Sequence, residues 1–295
     1  MFMKFSTITS ALREALFSRG VNLNSIIEDG QIHRFDVPDK PRGNRSGWYV
    51  CPTPQLAVFG FWHTGERQTV TLANEYDPIA TQQARQAAAN VLREREALRK
   101  MEQDQTADRA LKWWSNSQPA DSYHPYLLKK GVRANGLRQH GNTLLVPLYN
   151  NLELVNLQQI FLDGNKRFMK GGMVKGVASI IGGLAEASHV YLSEGWATAA
   201  TIHEATGCPV VAAMTANNLP VVAITLRRYL SSETSITIAA DNDRRTKNNP
   251  GLRYGQQAAT KIGASITWPR FPCERCNCSD FNDLDACEKR QGVSS

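Results

Sequence analysis

Apolar positions near the amino end recur at helical spacing. Leu12, Ala15 and Leu16 share one face of a segment that Thr9 or Ser10 can cap and that runs to about Arg19. The pattern then changes to short runs rich in β-branched and aromatic residues, at 32–37, 47–50, 57–62 and 69–72, broken by Pro, Gly and Asn. These runs predict a small antiparallel sheet. From Pro78 to about Ser115 the chain is dominated by Ala, Gln, Arg and Glu, a strongly helical mixture. This stretch predicts a solvated connecting helix, with Trp113-Trp114 packing onto the next domain.

Residues 121–184 read as a mixed segment. His124 to Val132 suggests a short helix closed by Gly131. The runs 142–149 and 152–160 suggest two strands joined by a turn at Asn150-Asn151, and a basic, glycine-bearing stretch comes next at 164–172. From 186 to 290 strand and helix alternate. Buried strands are expected at 189–192, 209–214, 235–240 and 264–268, and helices at about 196–205, 218–229 and 252–262. Such alternation predicts a parallel sheet. The expected divisions are an accessory domain at 1–75, a helical connector at 76–118, a mixed basic segment at 119–185 and an α/β domain at 186–295. No repeat or low-complexity tract interrupts them.

Composition narrows the choices. The 295 residues, 42% of them hydrophobic, can build an ample core. The start lacks the apolar core of a secretory signal, and no apolar run reaches the roughly 20 residues of a membrane span. A cytoplasmic protein without a membrane partner is therefore expected. The net charge is +7, from 34 Lys and Arg against 27 Asp and Glu. A basic surface suits a polyanion such as nucleic acid, although basic proteins of other kinds are common. There is no phosphate-loop text and the histidines have no triad spacing, which argues against a helicase motor.

Three acidic clusters change the picture most. Ser193-Glu194-Gly195 and Asp241-Asn242-Asp243 directly follow expected strands, and Asp280-Phe281-Asn282-Asp283 comes after the last one. Carboxylates at the carboxyl ends of neighbouring parallel strands meet at one sheet edge, and a hard divalent cation relieves their repulsion. If the backbone stays extended, Asp241 and Asp243 point the same way and share one metal. Read singly, each cluster is also an ordinary turn or helix cap.

The order of these clusters resembles the Toprim domain, shared by bacterial-type primases, type IA and II topoisomerases and some nucleases. The texts Leu192-Ser193-Glu194-Gly195-Trp196-Ala197-Thr198-Ala199 and Ser279-Asp280-Phe281-Asn282-Asp283-Leu284 are similar to the Toprim primases of plasmids and phages. Leu145-Val146-Pro147-Leu148, Leu157-Gln158 and Lys166-Arg167-Phe168-Met169-Lys170-Gly171-Gly172 resemble the basic half of a primase core. Gly30-Gln31-Ile32-His33-Arg34-Phe35 and Ser46-Gly47-Trp48-Tyr49-Val50 resemble the leading module of such mobile-element proteins.

This resemblance implies an α/β fold: a Toprim-type parallel sheet flanked by helices, behind a mixed α+β basic segment and a small β-rich amino-terminal domain. It implies synthesis of short RNA primers from ribonucleoside triphosphates on a single-stranded DNA template, in plasmid or phage replication, with a replicative helicase as a further partner. Asp241 and Asp243 would hold Mg²⁺ or Mn²⁺, Glu194 would be a further ligand or the general acid/base, and Asp280 and Asp283 would bind or shape a second metal. Lys166, Arg167, Lys170 and Lys175 are candidates for template backbone or triphosphate, as are Arg244 and Arg245, with Gly171 and Gly172 allowing close backbone approach. Each basic group also reads as a solvated charge run. A Toprim nuclease or phosphoesterase, and a non-catalytic DNA-binding partner of a helicase, remain the rival readings.

Six cysteines are present, and Cys273, Cys276, Cys278 and Cys287 either hold zinc or are incidental reduced thiols. Cys51 stands alone, so the amino-terminal zinc module of many relatives is not expected. Ser279 departs from the Lys often found there. Trp48, Tyr49, Phe59, Phe61 and Trp62 either stack on single-stranded bases or form the core of the small β-domain.

Overall fold

The computed structural model describes residues 5–62, 64–72, 78–272 and 276–291. The chain divides into two compact units, Met1–Arg99 and Lys100–Ser295. In the first, α1 (Ile8–Phe17) begins earlier than a Thr9 or Ser10 cap would allow. Thr7 takes extended backbone, its hydroxyl accepts from the Ser10 amide, and the Ser10 hydroxyl accepts from the Thr7 amide. Four antiparallel strands come next in order: β1 (His33–Phe35), β2 (Gly47–Thr53), β3 (Leu56–Phe61) and β4 (Arg67–Thr71). Ile8, Leu12 and Leu16 pack against Phe35, Tyr49, Phe59 and Phe61. Trp48, Tyr49, Phe59 and Phe61 are thus core residues, whereas Trp62 is 57% exposed, with Arg34 over its ring.

The long helix α2 (Pro78–Ser115) leads into the second unit. There, Trp113 stacks on His140 and Arg138 lies over Trp114. A five-stranded antiparallel sheet is laid down in sequence order: β5 (Gln118–Pro119), β6 (Arg138–His140), β7 (Thr143–Asn150), β8 (Glu153–Ile160) and β9 (Lys166–Phe168). Between β5 and β6, α3 (Pro125–Lys130) opens on a proline and closes at Gly131, whose φ of +63° suits a residue without a β-carbon. The β7–β8 turn centres on Asn151 and Leu152, one residue beyond expectation, because pairing continues to Asn150 and Glu153.

The second sheet carries the α/β character. Its spatial order is β10 (Ser179–Ile181), β12 (Val210–Ala212), β11 (His189–Ser193), β13 (Ser235–Ala239) and β14 (Ser265–Thr267). The four later strands are parallel, but β10 pairs antiparallel with β12, an edge the alternation pattern did not predict. Helix α4 (Trp196–Thr206) covers one face, while α5 (Leu219–Tyr229) and α6 (Pro250–Ile262) cover the other. The last helix, α7 (Phe281–Gln291), packs on α4.

Alternation decides which side chains meet these layers. Val190, Leu192, Ile236 and Ile238 point toward Val222, Leu226, Ala258 and Ala259. On the opposite face Val210, Ala212 and Ala239 join Trp196 and Ala200, and this core extends to Leu144, Val146 and Leu148 of the antiparallel sheet. The two sheets therefore share one apolar interior, with Trp196 only 1% exposed within it. Truncating such a side chain costs about 3–5 kcal/mol. Among the described residues no helix is long and apolar enough to cross a membrane.

Candidate functional site

Strands β11 and β13 lie side by side, but the chain leaves them for opposite faces of the sheet. From β11 it passes to α4 on one face, and from β13 to α6 on the other. A crevice opens at such a switch point, beyond the carboxyl ends of the strands. The register pairs Ser193 with Ala239, so Glu194 and Asp241 emerge next to each other at that crevice. All three acidic clusters converge here, since the charges of Glu194, Asp243, Asp280 and Asp283 each act on Asp241.

The carboxylates are held in different ways. Glu194 receives a backbone hydrogen bond from Ala216, but burial, reinforced by the charge of Asp243, pushes its carboxyl up to about 7. Its own carbonyl accepts from Met214 N at 2.7 Å, and Met214 takes a left-handed φ of +69°. Asp241 is partly exposed as a residue, yet its Oδ1 is buried and has no hydrogen-bond partner. Burial first, then Glu194 and Asp280, hold its carboxyl well above the ordinary carboxylate range.

The backbone does not stay extended through the Asp pair. After Asn242 it turns, and Asp243 Oδ2 accepts from Gly251 N at 2.9 Å in the first turn of α6. Asn249 caps the same helix and also accepts from Asp243 N at 2.8 Å. Asp280 caps α7 through Asp283 N at 2.7 Å, and burial followed by the charge of Asp283 raises its carboxyl. Asp283 Oδ1 in turn lies 3.6 Å from Lys130 Nζ.

Of the expected cations, Lys166 reaches this cluster. Much of its surface stays open to solvent, but its ammonium lies 5.3 Å above the Tyr126 ring. Crowding by protein lowers its pKa, opposed by the charges of Asp280, Asp241 and Glu194. Arg167 and Lys175 are exposed. The Lys170 carbonyl accepts from Thr106 and Arg109, and its side chain lines a separate surface pocket with Glu102 and Lys112. Arg244 lies over Phe271, and both Arg244 and Arg245 donate to Cys276. The close approaches at Gly171 and Gly172 are made by protein side chains: a β-carbon would meet Glu102 at 2.7 Å in one case and Asn156 at 2.3 Å in the other.

With this geometry established, comparison with known proteins is specific. The match to the Toprim domain family spans 189–287, a stretch that holds every carboxylate of the crevice. Residues 189–287 are a Toprim domain. A DNA primase TraC of Escherichia coli is 30% identical over 259 residues, covering 83% of this chain and 24% of that protein. A second DNA primase TraC of Escherichia coli is 30% identical over 278 residues, covering 88% of this chain and 19% of that protein. The chain thus spans about a quarter or less of the length of these relatives. Among solved structures, the zinc-binding and RNA polymerase domains of the Aquifex aeolicus primase superpose with a TM-score of 0.41 at 16% identity, covering 98% of this chain and 83% of that one.

Several residues around the Toprim site were not singled out by sequence patterns. Lys130 enters through α3, and its distance in sequence from Asp283 hid the pairing. Asn282, 2% exposed, donates to Lys130 O at 2.7 Å and Thr201 Oγ1 at 2.9 Å, fixing α7 against α3 and α4. A β-carbon at Gly251 would lie 2.7 Å from Asp241 O and 3.0 Å from Asp243 Oδ2, so only glycine lets α6 approach the Asp pair. Its place two residues after the Asn249 cap was the available signal. In the Toprim domain the other candidate ligands are thiols. Cys276, Cys278 and Cys287 come within 4.8 Å of one another, while Cys273 lies outside the described residues. Among the described residues no set of three carboxylate oxygens is gathered as tightly.

Proposed function

We propose that the chain is the catalytic part of a DNA primase, joining ribonucleotides into short RNA primers on single-stranded DNA. The observation that carries this reading is the Toprim crevice, where Glu194, Asp241, Asp243 and Asp280 face one another beside Lys166. The TraC relatives, matched across both units, support the choice of primer synthesis among Toprim chemistries.

The crevice suits a divalent cation. Asp241 Oδ1 is buried and unpartnered, and its carboxyl is pressed toward protonation by three neighbouring carboxylates and a fourth at Asp283. Mg²⁺ or Mn²⁺ suits such a set, because Mg²⁺ keeps several waters and takes one or two carboxylates plus substrate phosphates. Asp241 and Asp243 would hold it, with Asp280 and Asp283 shaping the surroundings or holding a second ion. Bound there, the ion would offset charge on the triphosphate as pyrophosphate leaves.

The remaining work falls to the protein itself. Glu194, with its carboxyl near 7, can take the proton of the primer 3′-hydroxyl at neutral pH. That oxygen then bonds to the α-phosphorus as the bond to pyrophosphate breaks. Lys166 and Lys130 supply positive charge for the triphosphate. Arg167 and Lys175, exposed and basic, would meet template phosphates.

The test uses the full chain, single-stranded templates and labelled ribonucleoside triphosphates with Mg²⁺. Products longer than a dinucleotide that disappear in Asp241→Asn support the reading. Template shortening without extension would replace it with the nuclease reading.

A further inference from the structure

Primer synthesis makes no use of three thiols in the same domain. Cys276 and Cys278 lie in the loop ahead of α7, and Cys287 lies on α7 itself. Their sulfurs all fall within 4.8 Å of one another. Tetrahedral Zn²⁺ with Zn–S bonds of about 2.3 Å needs sulfurs about 3.8 Å apart. The observed set is therefore at most about 1 Å too wide, a gap that small side-chain rotations can close.

Ordinary packing does not account for this arrangement. A buried thiol serving as a small hydrophobe sits among carbons, as Cys51 does in the apolar core of the first unit. Here three sulfurs converge, with Cys278 and Cys287 only 9% and 3% exposed. A guanidinium also addresses the cluster: Arg244 Nη2 donates to Cys276 Sγ at 2.9 Å and to Cys276 O at 3.1 Å. A charged donor on sulfur suits a thiolate, the form that binds metal.

We propose that Cys276, Cys278 and Cys287 bind one structural Zn²⁺. On binding, each thiol yields its proton to solvent and forms a sulfur–zinc bond. A structural zinc takes four donors, and these thiols supply three of them. The ion would tie the loop to α7 where that loop supports the acidic site. Ser279 O accepts from Asn242 N at 2.6 Å, Ser279 N donates to Asp283 Oδ2 at 3.1 Å, and Asp280 is the next residue. Zinc would thus hold the third acidic motif against the Asp241–Asp243 loop as a positioning element, outside the reaction itself.

The experiment reads metal and thiols, so it stands apart from any assay of primer synthesis. The 295-residue chain from zinc-supplemented cells is analysed for metal by mass spectrometry, then titrated with a mercurial while a dye reports released Zn²⁺. The expected result is one Zn²⁺ per chain, freed as three or four thiols react. Cys278→Ser and Cys287→Ser should lose it, and Cys208→Ser should keep it. Because a serine variant can fail to fold, wild-type apoprotein is also titrated with Co²⁺, which should give thiolate-to-cobalt charge-transfer absorption. Zinc at background together with no cobalt band would overturn the proposal. So would a disulfide within the trio in freshly purified protein, or zinc retained in both variants.

Discussion

Asp241 concentrates the tension between stability and function at the residue scale. Its Oδ1 is buried without a partner among other carboxylates, so its charge is a burden unless a cation answers it. Asp241→Asn should therefore raise the melting temperature in chelator by a few degrees, about 1–3 kcal/mol. The same variant should lose the extra stability that Mg²⁺ gives wild type and lower primer synthesis by a factor on the order of 100 or more. Calorimetry with and without Mg²⁺ checks both signs. Glu194 predicts a pH effect. Its pKa rises from 4.5 to about 7 on folding, so the folded state binds the proton more tightly than the unfolded chain. The resulting stability is fully present below about 4.5 and is lost as pH climbs through about 7. In chelator, the melting temperature of wild type relative to Glu194→Gln should fall between those limits. A flat difference would contradict the burial described for Glu194.

Single elements show what the amino-acid text could and could not reveal. The strand runs before Glu194 and Asp241 were legible because β-branched and aromatic residues alternate between buried and more exposed positions over a short span. The turn after Asn242 was not legible, because nothing local marks Asp243 as a partner for Gly251. The same holds for β10, a three-residue edge strand whose direction is set by its partner β12. Two substitutions test the helices that carry the site. Gly251→Ala should leave a cooperative fold, cost about 1–3 kcal/mol, and reduce activity more than tenfold, because the new β-carbon pushes α6 away from Asp241. Asn282→Ala removes the amide shared by Lys130 O and Thr201 and should cost about 1–3 kcal/mol by denaturant melt. Seeing that role in advance required knowing that α3 and α7, 152 residues apart at this contact, would meet.

For the whole molecule, the proposed function predicts that different cations serve binding and turnover. The sequence grouped Lys166, Arg167, Lys170 and Lys175 as one basic run, but Lys166 turns toward the carboxylates while Arg167 and Lys175 remain exposed. Affinity for single-stranded DNA should fall with salt at a log-log slope of about −0.7 per phosphate engaged. Replacing Arg167 and Lys175 by Ala should flatten that slope, whereas Lys166→Ala should slow synthesis and leave the slope nearly unchanged. Fluorescence anisotropy over a salt series separates the two. The overall α/β plan was readable from alternation alone, but the joint interior of the two sheets was not, since Leu144, Val146 and Leu148 carry no mark of which partner they will meet. The antiparallel edge strand β10 has a practical consequence for anyone wishing to excise the Toprim domain. A fragment cut at residue 189 would leave behind the ribbon that seals β12, laying bare a row of amides and carbonyls together with the greasy flank of α4. Such a fragment should clump on expression, and one that begins upstream of β5 should remain dispersed.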